Sequence, residues 1–166
     1  MTFEHSRIEN LLIRAEKLNV GARPILNEEI NYVRDKLGVK FSKDFIEISK
    51  RYSYEFFGRF DFANFGLDNS YSVIFETLQV RKNIGFPLDS LLLYEDDASV
   101  IVLKTMDDPT SPSPVIWCTV EDFYRYCEGV PLEYSHDVFP SFTDFFEFLL
   151  KREEEEQQRE KQEHKI

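Results

Sequence analysis

Leu91-Leu92-Leu93-Tyr94-Glu95-Asp96-Asp97-Ala98-Ser99-Val100-Ile101-Val102-Leu103 is the stretch that decides the fold. Two short apolar runs flank a five-residue acidic connection, the pattern of an antiparallel hairpin. Both runs are far too short to span a bilayer. Downstream, Pro109, Pro112 and Pro114 mark a loop, and Val115-Ile116-Trp117-Cys118 reads as a further strand. Residues 121–141 give no clean period and read as loop with a short helix. Phe142, Phe145, Phe146, Leu149 and Leu150 then fall on one helical stripe. Upstream, Ser72 opens a helix that runs to about Lys82, burying Val73, Thr77, Leu78 or their neighbours, and Gly85 and Pro87 end it.

Further upstream, Phe56, Phe57, Phe60, Phe62 and Phe65 include the period-two spacing of a half-buried strand or hairpin. The first fifty residues hold three helices. Ile8, Leu11, Leu12, Ala15 and Leu18 make the stripe of the first. Asn27 is a candidate N-cap for the second, which carries Ile30, Val33 and Leu37 inward and closes at Gly38. Ser42 caps the third, with Phe45, Ile48, Ser49 and Tyr52 inward. This order predicts an α+β fold: a mostly antiparallel mixed sheet flanked by an N-terminal helical layer and a C-terminal helix. Residues 1–152 read as one domain. Residues 153–166 read as a polar helical extension or tail, because Glu153 through Lys165 offer nothing aliphatic or aromatic to dock.

The 166-residue length fits one domain, able to bury roughly 70% of its extended-chain surface. A hydrophobic content of 42% with sixteen Phe and eight Tyr points to an aromatic core rather than a disordered chain. Two cysteines are too few for a disulfide framework, and no signal peptide or spanning segment is visible. A cytoplasmic setting is expected.

The net charge of -11 is unevenly spread. Residues 85–150 hold 13 acids against only Lys104 and Arg125, and so carry the whole surplus. Solubility alone explains the sign but not this concentration. An acidic half is poorly suited to nucleic acid or an anionic membrane and well suited to a basic protein. The run Glu153-Glu154-Glu155-Glu156 lies beside Lys151, Arg152, Arg159 and Lys161, at the spacing of pairs on a solvated helix.

Catalytic signatures are lacking. His5, His136 and His164 lie in three segments without paired ligand spacing, and Cys118 and Cys127 read as small core residues. Asp96-Asp97 and Asp107-Asp108 resemble paired carboxylates, but such pairs on turns are more often solvated, and neither has the alternation of a calcium loop. There is no phosphate-binding glycine loop and no serine nucleophile elbow. No metal, cofactor or catalytic residue is expected.

The segments, in order, resemble the SUKH superfamily of SMI/KNR-like proteins over roughly residues 27–150. The family's helix ending in L-G-V, followed by an apolar-Pro-x-Asp-aromatic turn, is matched by Leu37-Gly38-Val39-Lys40-Phe41-Ser42-Lys43-Asp44-Phe45. Its S-V-x-x-x-T helix is matched by Ser72-Val73-Ile74-Phe75-Glu76-Thr77, with Arg81 where a basic residue is usual. Pro87 and the strand and acidic turn after it, Pro114-Val115-Ile116-Trp117, and the F-x-x-F-x-x-x-L helix at Phe142, Phe145 and Leu149 complete the set. Ser42 replaces the usual Pro, Tyr52-Ser53-Tyr54-Glu55-Phe56-Phe57 replaces an Asn-Gly-rich turn, and Leu103-Lys104-Thr105 replaces Leu-Asp-Thr. The resemblance implies a non-enzymatic immunity protein that binds and neutralises a toxin, often a nuclease. Regulatory scaffolds among eukaryotic members supply the alternative.

Joined to that resemblance, the charge pattern predicts that a cognate basic toxin is bound by mimicry of a polyanion. The expected contacts are Glu95, Asp96, Asp97, Asp107, Asp108, Glu121 and Asp122, with Tyr94 or Trp117 as apolar anchors.

Overall fold

The computed structural model describes residues 2–18, 23–54, 62–66, 71–132 and 137–165. Among them the order is α1 (Phe3–Leu18), α2 (Asn27–Leu37), α3 (Lys43–Ser49), α4 (Val73–Ile84), β1 (Ser90–Glu95), β2 (Ser99–Lys104), β3 (Val115–Thr119), α5 (Val120–Cys127), β4 (Asp137–Phe139) and α6 (Phe142–Glu163). The strands form one antiparallel sheet in the order β1-β2-β3-β4. The fold is α+β, with helices flanking the sheet.

Strand alternation gives the sheet two apolar faces, and helices cover both. Leu91, Leu93, Ile101, Leu103 and Val115 join the larger core with the inner stripes of α1, α2, α3 and α6. Phe45 lies at its centre, with Phe41 stacked at 4.7 Å and Phe142 edge-on at 4.7 Å. Leu92, Val102 and Ile116 face a smaller core with Phe86 and with Phe123 of α5. Each fully buried side chain of this size contributes about 1.5–3 kcal/mol, so the unbroken apolar runs reflect a sheet that needs hydrophobic residues on both sides.

The outer edge of β1 is closed by side chains and loop. Thr77 of α4 accepts the Leu92 N–H at its Oγ1 (3.0 Å), and the Ala63 N–H donates to the Leu93 carbonyl (2.9 Å). Ser72 caps α4 by accepting the Phe75 N–H (3.0 Å), and Gly85 ends the helix in the left-handed region at φ 71°.

Several expectations need correction. Phe56, Phe57 and Phe60 lie outside the described residues. Phe62 and Phe65, three apart, are both buried, and their segment makes only an isolated bridge from Asn64 to Ser72 rather than a strand. Leu78 faces outward at 42% exposure, because α4 buries Val73, Ile74 and Thr77 instead. Residues 121–141 hold most of α5 and also β4, whose three residues are too few to show a period. Leu26 is the N-cap of α2, and Glu29 reaches back to accept its N–H (3.1 Å); Asn27 is the first helical residue. The polar C-terminal run is the helical extension of α6, with Arg159 paired to Glu156 one turn back, and what the sequence did not show is that Glu154 reaches across to Arg14 of α1.

Candidate functional site

The hairpin turn is built by Asp96. Its Oδ1 accepts the N–H groups of Ala98 (2.8 Å) and Ser99 (2.7 Å), and its Oδ2 accepts the Tyr94 hydroxyl (2.6 Å). The Tyr94 bond and then the two backbone bonds hold this carboxyl below the usual range. Tyr94 itself is positioned by a bulge in β1, where the register shifts between Leu92 and Tyr94. The extra residue puts Tyr94 opposite Ile101, on the large-core side, with its ring edge-on to Phe62 at 5.9 Å.

Beyond the bulge, Glu95, Asp96 and Asp97 line a pocket of about 320 Å³ together with Glu76 of α4, Tyr71, Tyr94, Ala63 and Leu92. Among the described residues that line it, four are acidic and none is basic. The pocket walls strip water from the Glu95 carboxyl and push its pKa up, although the residue as a whole remains exposed. Glu76 is raised as well, first by burial and then by the charge of Glu95. These carboxylates are ionised against resistance, so a cation placed among them relieves both desolvation and repulsion.

The first turn of α5 adjoins the same end of the sheet. Ser99 pairs with Thr119, and the Val120 N–H donates to the Ala98 carbonyl (3.2 Å). Thr119 caps α5 by accepting the Asp122 N–H (3.1 Å), and Glu121 makes an exposed pair with Arg125 at 3.4 Å. The structure therefore gathers Tyr94, Glu95, Asp96, Asp97, Glu121 and Asp122 at one end. Asp107 and Asp108 sit at the other, in the loop between β2 and β3. There Asp108 accepts the Thr110 N–H (2.9 Å) and hydroxyl (2.7 Å), and the loop is fastened to α3 by the Lys43 N–H on the Pro109 carbonyl (3.3 Å). Trp117 belongs to neither group. It is half-buried under α6, with Phe148 at 5.7 Å and the Arg152 guanidinium 5.6 Å above its ring.

Glu76 and Tyr71 are the pocket residues that sequence reading missed. Both lie outside the acidic half, and only the packing of α4 on β1 brings them in. Helical phase was the one available signal, since Glu76 flanks the inward-facing Thr77.

The sequence suggested no ligand cluster, yet His5, Glu9 and Glu47 converge, with one ligand atom of each lying within 4.8 Å of the others. Glu47 arrives from α3, which linear spacing cannot show. These groups are engaged in an ion-pair network: His5 Nδ1 is 2.7 Å from Glu47, and Arg51 donates to both oxygens of Glu9 (3.1 and 3.0 Å) and to Glu16 (3.2 Å). Burial pushes the thiols of Cys118 and Cys127 up to about 11, which withdraws them from thiolate chemistry. His136 lies outside the described residues. Among the described residues no helix is long and apolar enough to cross a membrane.

A family model described as SMI1-KNR4 cell-wall, SUKH_5, matches residues 5–151. The match therefore includes nearly all of α1 and stops within α6. No curated protein and no solved structure matches the chain.

Proposed function

The chain belongs to the SUKH superfamily of SMI1-KNR4 proteins, an immunity-protein-like and generally non-catalytic family, and from that premise we propose that it is a non-enzymatic immunity protein for a basic toxin. The observation that carries the reading is the pocket at the hairpin end, where Glu76, Glu95, Asp96 and Asp97 converge with no basic residue among the described lining groups. A nuclease toxin must present Lys and Arg to phosphates, and a cluster of carboxylates competes for that surface. Attraction over a Debye length of about 8 Å speeds encounter, and salt screens it.

The test is co-expression with a toxin encoded in the neighbouring gene, scored by growth. Wild-type protein restores growth, and Glu95→Lys with Asp97→Lys abolishes protection while the protein stays folded. Asp96 is spared because it builds the turn. Charge reversal at Glu153 and Glu155 is the comparison and leaves protection intact. Failure of the wild-type protein to protect sinks the reading and favours a regulatory scaffold.

A further inference from the structure

We propose that the outer face of α4 is the apolar anchor site for a basic protein partner, which seats an apolar side chain on Phe75 and Leu78 and directs Lys or Arg into the adjoining acidic pocket. The inference rests on the reading above and adds to it a surface outside the acidic half of the chain.

Phe75 and Leu78 stand one turn apart on α4, Phe75 facing away from the buried Val73 and Thr77 and Leu78 at the rim of the buried face one turn beyond Ile74; Tyr71 lies in the turn just ahead of the N-cap Ser72. Tyr71 is 37%, Phe75 39% and Leu78 42% exposed. Single exposed apolar residues need no explanation, but two on adjoining turns of α4, with an exposed tyrosine in the turn that leads into the helix, form a patch. Two features join it to the charged pocket: Tyr71 lines that pocket, and Glu76, the residue after Phe75, contributes one of its carboxylates. An aromatic and aliphatic centre beside charged groups is the composition of a protein-binding hot spot.

Charge selects the occupant. A second copy of this chain would set one acidic pocket against another, and like charges across an interface oppose association. A membrane or nucleic acid would meet the same carboxylates with its own phosphates. A basic protein surface satisfies both halves of the patch.

The experiment uses the full chain in two arms. In the first, a short synthetic peptide alternating Lys with Phe and Leu is titrated into isotope-labelled protein and compared with oligolysine. The mixed peptide is expected to shift the amide signal of Leu78 together with those of the pocket residues Tyr71, Glu76 and 95–97, whereas oligolysine shifts the pocket residues and leaves Leu78 unmoved. Absence of a shift at Leu78 with the mixed peptide overturns the proposal whether or not a toxin partner exists. In the second arm, the neighbouring-gene toxin is bound to wild type, to Phe75→Ser/Leu78→Ser, and to Ile13→Ser, a 46%-exposed control on α1. The double variant is expected to lose roughly 30-fold or more in affinity with unchanged melting, and the control nothing. Undiminished binding by the double variant overturns the anchor site while leaving the immunity reading in place. Concentration-dependent dimers of wild type that the double variant abolishes would assign the face to a second copy and overturn the proposed partner.

Discussion

Asp44 and Thr143 stand 99 residues apart, yet one carboxylate oxygen of Asp44 accepts both the Thr143 N–H (3.0 Å) and the Thr143 hydroxyl (2.9 Å). Its other oxygen accepts the Phe45 N–H (2.9 Å) and the Ser42 hydroxyl. A single buried side chain thus serves donors at the beginnings of both α3 and α6, where helices leave N–H groups without internal partners. Asp44→Ala is expected to cost on the order of 3 kcal/mol, because it strands several buried donors at once. Asp44→Asn should cost less, since one oxygen remains while the new NH₂ group meets donors on the other side. Urea midpoints of the three proteins check the order, and an Ala variant as stable as wild type would refute it.

Thr77 gives a cleaner separation of shape from hydrogen bonding. Thr77→Val keeps the volume of a fully buried residue but leaves the Leu92 N–H at the edge of β1 without its acceptor. The expected loss is about 1–3 kcal/mol. Thr77→Ser retains the hydroxyl and removes a methyl, so its loss should be nearer 1 kcal/mol. Amide exchange at Leu92 should accelerate in the Val variant and much less in the Ser variant. Equal exchange in both would mean that packing, not the bond, protects the edge.

The residues through which the sequence resembled its family turn out to hold elements together. Asp44 links two helices, Ser72 caps α4, Thr77 satisfies β1, and Arg81 donates to the carbonyls of Leu37 (3.0 Å) and Leu88 (2.8 Å). Such positions are legible because cap and turn chemistry admits few residue types at fixed spacing. The helical stripes and the central hairpin were legible through periodicity. The Phe62–Phe65 segment was not, because its two buried aromatics stand three apart and reach the core from irregular chain beside a sheet edge, a placement that period-two spacing cannot show. The acidic half was visible as a count, but which carboxylates meet depends on strand register. That register separates Asp107 and Asp108 from Glu95 and brings in Glu76 from another element.

Truncation after Arg152 should be mildly destabilising rather than silent. Beyond that point Glu154 pairs with Arg14, and the Gln157 side chain donates to the Leu18 carbonyl (3.0 Å) at the end of α1. A part-exposed ion pair and one capping bond together contribute roughly 1 kcal/mol. Differential melting of the full and shortened chains measures this, with Glu154→Gln accounting for a part of the loss that high salt suppresses. A loss of several kcal/mol would show that the extension belongs to the core.

The acidic pocket should act against the stability of the free protein, with a definite sign. Glu76 and Glu95 both have folded-state pKa values raised above the ordinary carboxylate range, by burial first and, for Glu76, by its neighbour's charge. The folded state therefore holds their protons more tightly than the unfolded chain does. Their contribution is complete below the unfolded pKa and is lost as pH rises through the folded pKa. At neutral pH the ionised pair opposes folding, and Glu76→Gln should raise Tm by a few degrees. Near roughly pH 4, around the unperturbed Glu value, the same substitution should change Tm little. Asp96 has the opposite sign, because its pKa is lowered by bonds from Tyr94, Ala98 and Ser99. Asp96→Ala should lower Tm at neutral pH by opening the turn, with the effect fading as pH falls through the depressed value. Melting curves of the two variants across this range must therefore diverge as pH rises. A lower Tm for Glu76→Gln at neutral pH would show that its carboxylate has a stabilising partner, and the pocket would then not be poised for an external cation.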